Sequence, residues 1–407
     1  LTGNVSGVAS AGGTAAYVTG GGNVASGPYS FSTGVGNRST SVASFSEGIS
    51  TLSANLATHS EGIATRALGV AAHAEGGYSV ASGDFSHAEG DPCVASGYAS
   101  HAEGVGTTAS GTGTHSEGIT STASGLGSHA EGNETVASGD FCHAEGLRAL
   151  AVGFCCHAEG NGGFANGFYS HAEGNGGTAD GFAAHVEGDG CQALLNGAHA
   201  EGAICTASAA FTHAEGFSTT AAGTFAHSEG SNTSALNTGT HAEGILTVAV
   251  GVGSHSEGQS TAALGGSSHA EGQGCTAGGE SSHAEGFNTL ASGPSSHAQG
   301  AATVASGGAA MALGFGCTAA GDLSVAEGNS NISDLEGAHI FGINGWVAAG
   351  TTGLTGASGN GGAYSIQLAG GATLPTAPGD GISVIARTAL FGTPQPIGEI
   401  ITDYFTS

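Results

Sequence analysis

The residues best suited to chemistry in this chain are histidine and glutamate, and they come in pairs two positions apart. The tetrapeptide HAEG or HSEG puts an imidazole and a carboxylate on one side of an extended segment, because alternate strand residues face the same way. Such a pair can share a proton, form an ion pair or ligate a zinc-like ion. The His of this motif recurs every 14 positions from His59 to His297, 18 in succession, and His339 keeps the register. All 19 histidines therefore occupy one slot of a repeat, here slot zero. An active site is normally unique, so an evenly repeated motif argues against catalysis. No Ser-His-Asp spacing or phosphate-binding loop stands out either. The sequence assigns no catalytic residue and no cofactor.

The other slots show what must position these pairs. Gly fills slot +3 in every repeat from Gly20 to Gly342, and Ala fills slot +8 from Ala67 to Ala319. Glu fills slot +2 from Glu47 to Glu285; Gln299 and Leu313 interrupt it and Glu327 resumes it. A second Gly is frequent at slot +10, as in Gly83, Gly97, Gly111 and Gly125. The unit reads as two halves, roughly HAEGxxT and xASGxxS, each a short strand followed by a glycine corner. Slots −1, +1, +6 and +8 hold Ser, Ala and Thr and fall on one face, which suits the thin interior of a small coil. His and Glu then point outward. A helix is excluded, because glycine every half repeat would break it.

The fold predicted is all-β: a parallel β-solenoid of 14 residues per turn and about 24 turns. At roughly 4.8 Å per turn, the coil would be on the order of 115 Å long. Residues 1–342 form this shaft, and 343–407 form a small β-rich foot that caps or fastens it. The foot carries Trp346 and β-prone runs at 363–369, 381–391 and 399–405.

Composition narrows the function. Among 407 residues there are 79 Gly but only seven Pro, which excludes collagen, and the strict period excludes disorder. Lys is absent and Arg appears four times against a net charge of −28, so nucleic acid and anionic membranes are poor partners. No apolar run of about 18 residues exists to span a bilayer. Leu1 shows no signal-peptide pattern, so the sequence is expected to begin after processing or inside a longer chain.

Stacked in register, successive Glu would lie roughly 4.8 Å apart and repel by about 3.5 kcal/mol at an effective dielectric near 20. The donor repeated at the same frequency is His. A polar ladder of hydrogen-bonded His and Glu, within or between chains, is therefore expected along His59, His73, His129, His143, His157 and His171 with Glu61, Glu75, Glu131, Glu145, Glu159 and Glu173. The sharper alternative is a metal-binding column, with candidate ligands His87, Glu89, His101, Glu103, His115 and Glu117. Were the pairs ionised, the His values would be raised, and their stabilisation would fade as pH climbs through the raised value.

Small interior side chains bury little apolar area, so a lone coil is marginal and a homo-oligomer is expected. The repeat resembles the YadA-like head of trimeric autotransporter adhesins over about residues 11–342. There Ser86-His87-Ala88-Glu89-Gly90 aligns with that family's SVAIG element, with His in place of Val and Glu in place of Ile. The resemblance implies a left-handed β-roll and a homotrimer whose axis these two slots face. The repeat is also similar to SHAEG-repeat proteins of Gram-positive bacteria and their phages, which often end in a self-cleaving chaperone domain. The segments 337–342 (GAHIFG) and 367–371 (QLAGG) resemble the stretch that precedes it. The implied role is an elongated extracellular fibre or adhesin rod on a bacterial cell, spore or phage particle, with an unidentified surface receptor. A metal- or ice-binding solenoid and a phage tail-fibre appendage are the alternatives. An uncapped N-terminal turn would allow head-to-tail filaments.

The eight Cys do not form a small secreted framework. Cys93, Cys191, Cys205, Cys275 and Cys317 share slot +6 and are expected as buried free thiols. Cys142 and Cys156 share slot −1 on adjacent turns, as Cys191 and Cys205 share slot +6, so bridges are geometrically possible. Thr107, Thr289 and Thr303 also hold slot +6 and are expected as inward fillers, although an outward row could bind ice.

Overall fold

A computed structural model describes residues 10–347. The described chain contains strands and no helix, and it winds a parallel β-solenoid of about 23 turns with ~14 residues per turn. Two compact units divide the chain, Leu1–Ser208 and Ala209–Ser407.

In the first unit most turns carry a longer and a shorter strand, and three, beginning at His59, His157 and His171, carry two strands of two residues. His129–Asn133 pairs with His143–Leu147 of the next turn, each residue opposite the one 14 positions on. Val136–Ala137 pairs in the same register with Leu150–Ala151. The second unit repeats the plan: His255–Gln259 pairs with His269–Gln273, and Ala262–Ala263 with Thr276–Ala277. Its last pairings are His339–Ile343 on Val325–Asn329 and Trp346–Val347 on Ile332–Ser333. The coil thus runs a few residues past the expected boundary at 342/343. The rest of the proposed foot, with its three β-prone runs, lies outside the described residues.

The interior is as thin as the small-residue slots require. Ala88, Ala95, Ala102 and Ala109 are fully buried, as are Cys93 and Thr107. Serine does two jobs in slot −1. It fills the core, and its hydroxyl donates to a corner carbonyl that lacks a ladder partner, as Ser86 Oγ does to Gly83 O at 2.6 Å. Slot +6 works similarly near the start of the chain. The Asn37 amide donates to the Thr33 and Gly48 carbonyls and accepts the Thr51 N–H. At one empty slot a neighbour fills the space. Gly177 brings no side chain to slot +6, and a Cβ there would meet Val186 Cγ1 at 2.6 Å, the larger residue at slot +1 of the next turn.

The corners explain the glycine content. Gly104 has φ of +109°, and a Cβ on it would collide with the Gly118 carbonyl of the next turn. The opposite corner tolerates side chains at a left-handed residue: Phe85, Ala99 and Phe141 have φ of 59°, 51° and 58°. A non-glycine residue there costs roughly 1–2 kcal/mol, offset in part by the greater chain entropy of glycine. Ala99 is exposed and has no packing to lose. Ala99→Gly is therefore expected to stabilise the first unit by up to about 1 kcal/mol, read as a higher urea midpoint. A lower midpoint would mean that the corner is not strained.

Candidate functional site

The outward side of the longer strand carries the His and Glu columns. Because pairing is in register, each imidazole lands on the next. In the first unit the rings from His59 to His199 stack with centroids 4.5–5.0 Å apart and planes within 12°. In the second unit the rings from His213 to His297 do the same at 4.5–4.9 Å and within 15°. The spacing is that of neighbouring strands, which brings successive flat rings of this slot into contact. Tyr17, Phe31 and Phe45 hold the same slot in the preceding turns and extend the ring column to His59 at 4.7–5.0 Å, with Tyr17 and Phe31 stacked and the next two pairs tilted by 50° and 30°. Reading the slot by histidine alone hides this; counting back in steps of 14 from His59 reveals it.

In several turns the carboxylate approaches its imidazole without reaching hydrogen-bond distance. His59, His101, His115, His143 and His157 lie 3.5–3.6 Å from the Glu two residues on, measured from Nε2 to Oε2. These separations exceed those of a hydrogen bond. Nε2 is buried without a hydrogen-bond partner in His59, His73, His87, His101, His115, His129, His143, His157 and His171. In the second unit the same holds for His227, His241, His255, His269, His283 and His297. The expected ladder residues thus share one face, but at the imidazoles just named Nε2 makes no hydrogen bond to a Glu of the same chain. The side-chain directions set by the strand leave donor and acceptor about half an ångström too far apart.

The electrostatics also reverse an expectation. Burial holds the imidazoles of His73, His101, His129 and His157 below the usual histidine value, and charge on the stacked neighbours pushes the same way. His227, His241, His255 and His283 are lowered for the same reasons. Nearby Glu opposes the shift but does not overcome it. Ionised pairs would have raised these values; the stack instead favours neutral rings. Among the carboxylates, Glu47 is raised, chiefly by its hydrogen bond with Glu61. Where the Glu column is interrupted, the Gln299 amide donates to Glu285 Oε1 at 2.5 Å.

The candidate metal ligands do converge. Ligand atoms of His87, Glu89 and His101, and of His101, Glu103 and His115, lie within 4.8 Å of one another. In the set His73, Glu75 and His87 the carboxylate reaches toward both imidazoles. One Glu75 oxygen is 3.8 Å from His73 Nε2 and the other is 3.9 Å from His87 Nε2. Two ligands on a tetrahedral zinc stand roughly 3.3–3.5 Å apart, so small side-chain rotations would suffice.

The remaining candidates point inward. Thr107, Thr289 and Thr303 are buried, so this Thr row offers no ice-facing surface. Cys93, Cys191, Cys205, Cys275 and Cys317 are fully buried thiols, as the slot predicts. Among the described residues no helix is long and apolar enough to cross a membrane.

A coil of this period, with small residues inside and a polar column outside, is similar to a known class of surface-protein repeat. The family model for the YadA head domain repeat matches residues 62–86, 88–114, 116–141, 242–268 and 284–310. These matches and the solenoid fit a structural, adhesin-like rod. No curated protein matches the chain.

Proposed function

We propose that this chain is a non-enzymatic structural protein of an extracellular fibre or adhesin rod, which assembles as a homotrimer through its His and Glu columns. The observation that carries this reading is the row of buried Nε2 atoms without partners beside carboxylates with spare acceptor capacity. A polar group left unpaired in a buried place costs about 1–3 kcal/mol. Fifteen such groups among the described residues are a cumulative cost that neighbouring copies would remove. A neutral ring carrying its proton on Nε2 would donate to the carboxylate of a neighbouring chain. The similarity to YadA head repeats supports the same arrangement and a cell-surface location. Evenly repeated columns favour assembly over a single ligand site. Electron micrographs of the purified chain should show uniform straight rods with three-fold end views. Compact or irregular single-chain particles would sink the proposal.

A second reading rests on Glu75, whose two oxygens reach toward two successive imidazoles. If the columns hold a divalent transition metal, elemental analysis of protein dialysed against zinc should find several ions per chain. Less than one ion per chain would end that reading.

A further inference from the structure

Cys142 and Cys156 are the slot −1 residues of two successive turns, immediately before His143 and His157, which pair in register. Both are 2% exposed. Their Sγ atoms are 2.8 Å apart, inside the roughly 3.5–4.0 Å at which non-bonded heavy atoms normally pack. The Cys156 N–H donates to Cys142 Sγ at 3.3 Å, and both thiols converge on the Gly153 carbonyl. Strand neighbours roughly 4.8 Å apart already satisfy the Cα separation of a disulfide. We propose that Cys142 and Cys156 form a disulfide that staples two successive turns of the coil.

The position gives the staple a purpose. The second stapled turn and the turn after it have strands of only two residues, His157–Ala158 and His171–Ala172, as His59–Ser60 does earlier in this unit, against five residues in His129–Asn133 and His143–Leu147. The first of them also lacks a core side chain at Gly163, where most turns place Thr, Ser, Cys or Asn; the gap at Gly177 is filled by Val186. A covalent link between the first turn of that stretch and the turn before it keeps the short-strand pairing from opening there.

The bond requires an oxidant, and a small-molecule disulfide such as oxidised glutathione suffices. Proton sharing with Cys156 pulls the Cys142 thiol down to about 7 and raises its partner. Cys142 is therefore the attacking thiolate. It breaks the glutathione S–S bond, forms a mixed disulfide and releases one reduced glutathione. Cys156 then attacks the Cys142 sulfur and gives up its proton to the second departing glutathione. Two thiols are oxidised and one disulfide is reduced. Burial of both sulfurs means that exchange passes through a local opening of the turn.

Thiol counting tests this. The full chain is incubated with oxidised glutathione, alkylated in denaturant without reduction, digested with pepsin and read by mass spectrometry. Two of the eight Cys should escape alkylation, and a cross-linked peptide should join residues 142 and 156. Eight alkylated Cys, or a link through Cys155 or between Cys191 and Cys205 in place of this one, would overturn the proposal. Cys142→Ser should fold, because Ser is the filler of this slot in turns such as those of Ser86, Ser100 and Ser128. That variant should keep all of its remaining thiols alkylatable after oxidant; loss of a further pair would also count against the assignment.

Discussion

Gly104→Ala should destabilise the first unit by about 3–5 kcal/mol, combining a forbidden backbone region with overpacking against the next turn. The added Cβ meets the Gly118 carbonyl, which the ladder fixes in place, and the φ of +109° suits no L side chain. Relaxing the clash means spreading two turns and losing their pairing. Gly113 supplies the control. Its φ is +64°, but a Cβ there meets nothing. Gly113→Ala should cost only about 1 kcal/mol. Denaturant unfolding of the two variants separates close approach from backbone conformation. Equal losses would mean that glycine at slot +3 is needed for its dihedral alone.

Acid should unfold the coil before base does. The lowered His values fix the sign. A group with a depressed folded value contributes stability that is present above its unfolded value near 6.5 and is lost as pH falls through the folded one. Several rings per unit behave this way, including His73, His101, His227 and His241. When they charge, adjacent imidazolium rings 4.8 Å apart, as at His143 and His157, repel. That repulsion is roughly 1–3.5 kcal/mol per pair between water-like and protein-surface dielectrics. The rings are about a third exposed, so solvent screening draws it toward the lower end. Glu47, with its raised value, opposes the trend at a single position. The melting temperature should be level above about pH 7.5 and fall steadily below about 6.5. Thermal melts across pH 4–9 check this. A melting temperature that rises on acidification would show that charged His–Glu pairs dominate after all.

The sequence revealed most of the fold because one rule operates at every turn. In-register stacking puts identical slots on top of each other, so slot composition reads directly as inside or outside. Ala88 and Thr107 went inside and His87 outside for that reason. The site was legible as a column but not as chemistry. Spacing brings His and Glu to one face, yet whether Nε2 reaches a carboxylate depends on side-chain directions that no period encodes. The sign of the His shift was hidden similarly. It follows from half-burial and from ring-on-ring stacking, whereas the residue pattern suggested attraction between neighbours. Compensation between Gly177 and Val186 is likewise invisible until the two are seen to share one pocket of the core. Slot −1 placed Cys142 above Cys156, but only the side chains show their sulfurs in contact.

Assembly through the His and Glu columns is the claim on which the functional reading depends. Sedimentation equilibrium at pH 7.5 and micromolar concentration tests it most directly. The predicted result is a single species of three times the 38.6 kDa chain mass. A stable, folded species at the mass of one chain would contradict the account, because it would leave the buried Nε2 row without the partner that the proposal supplies.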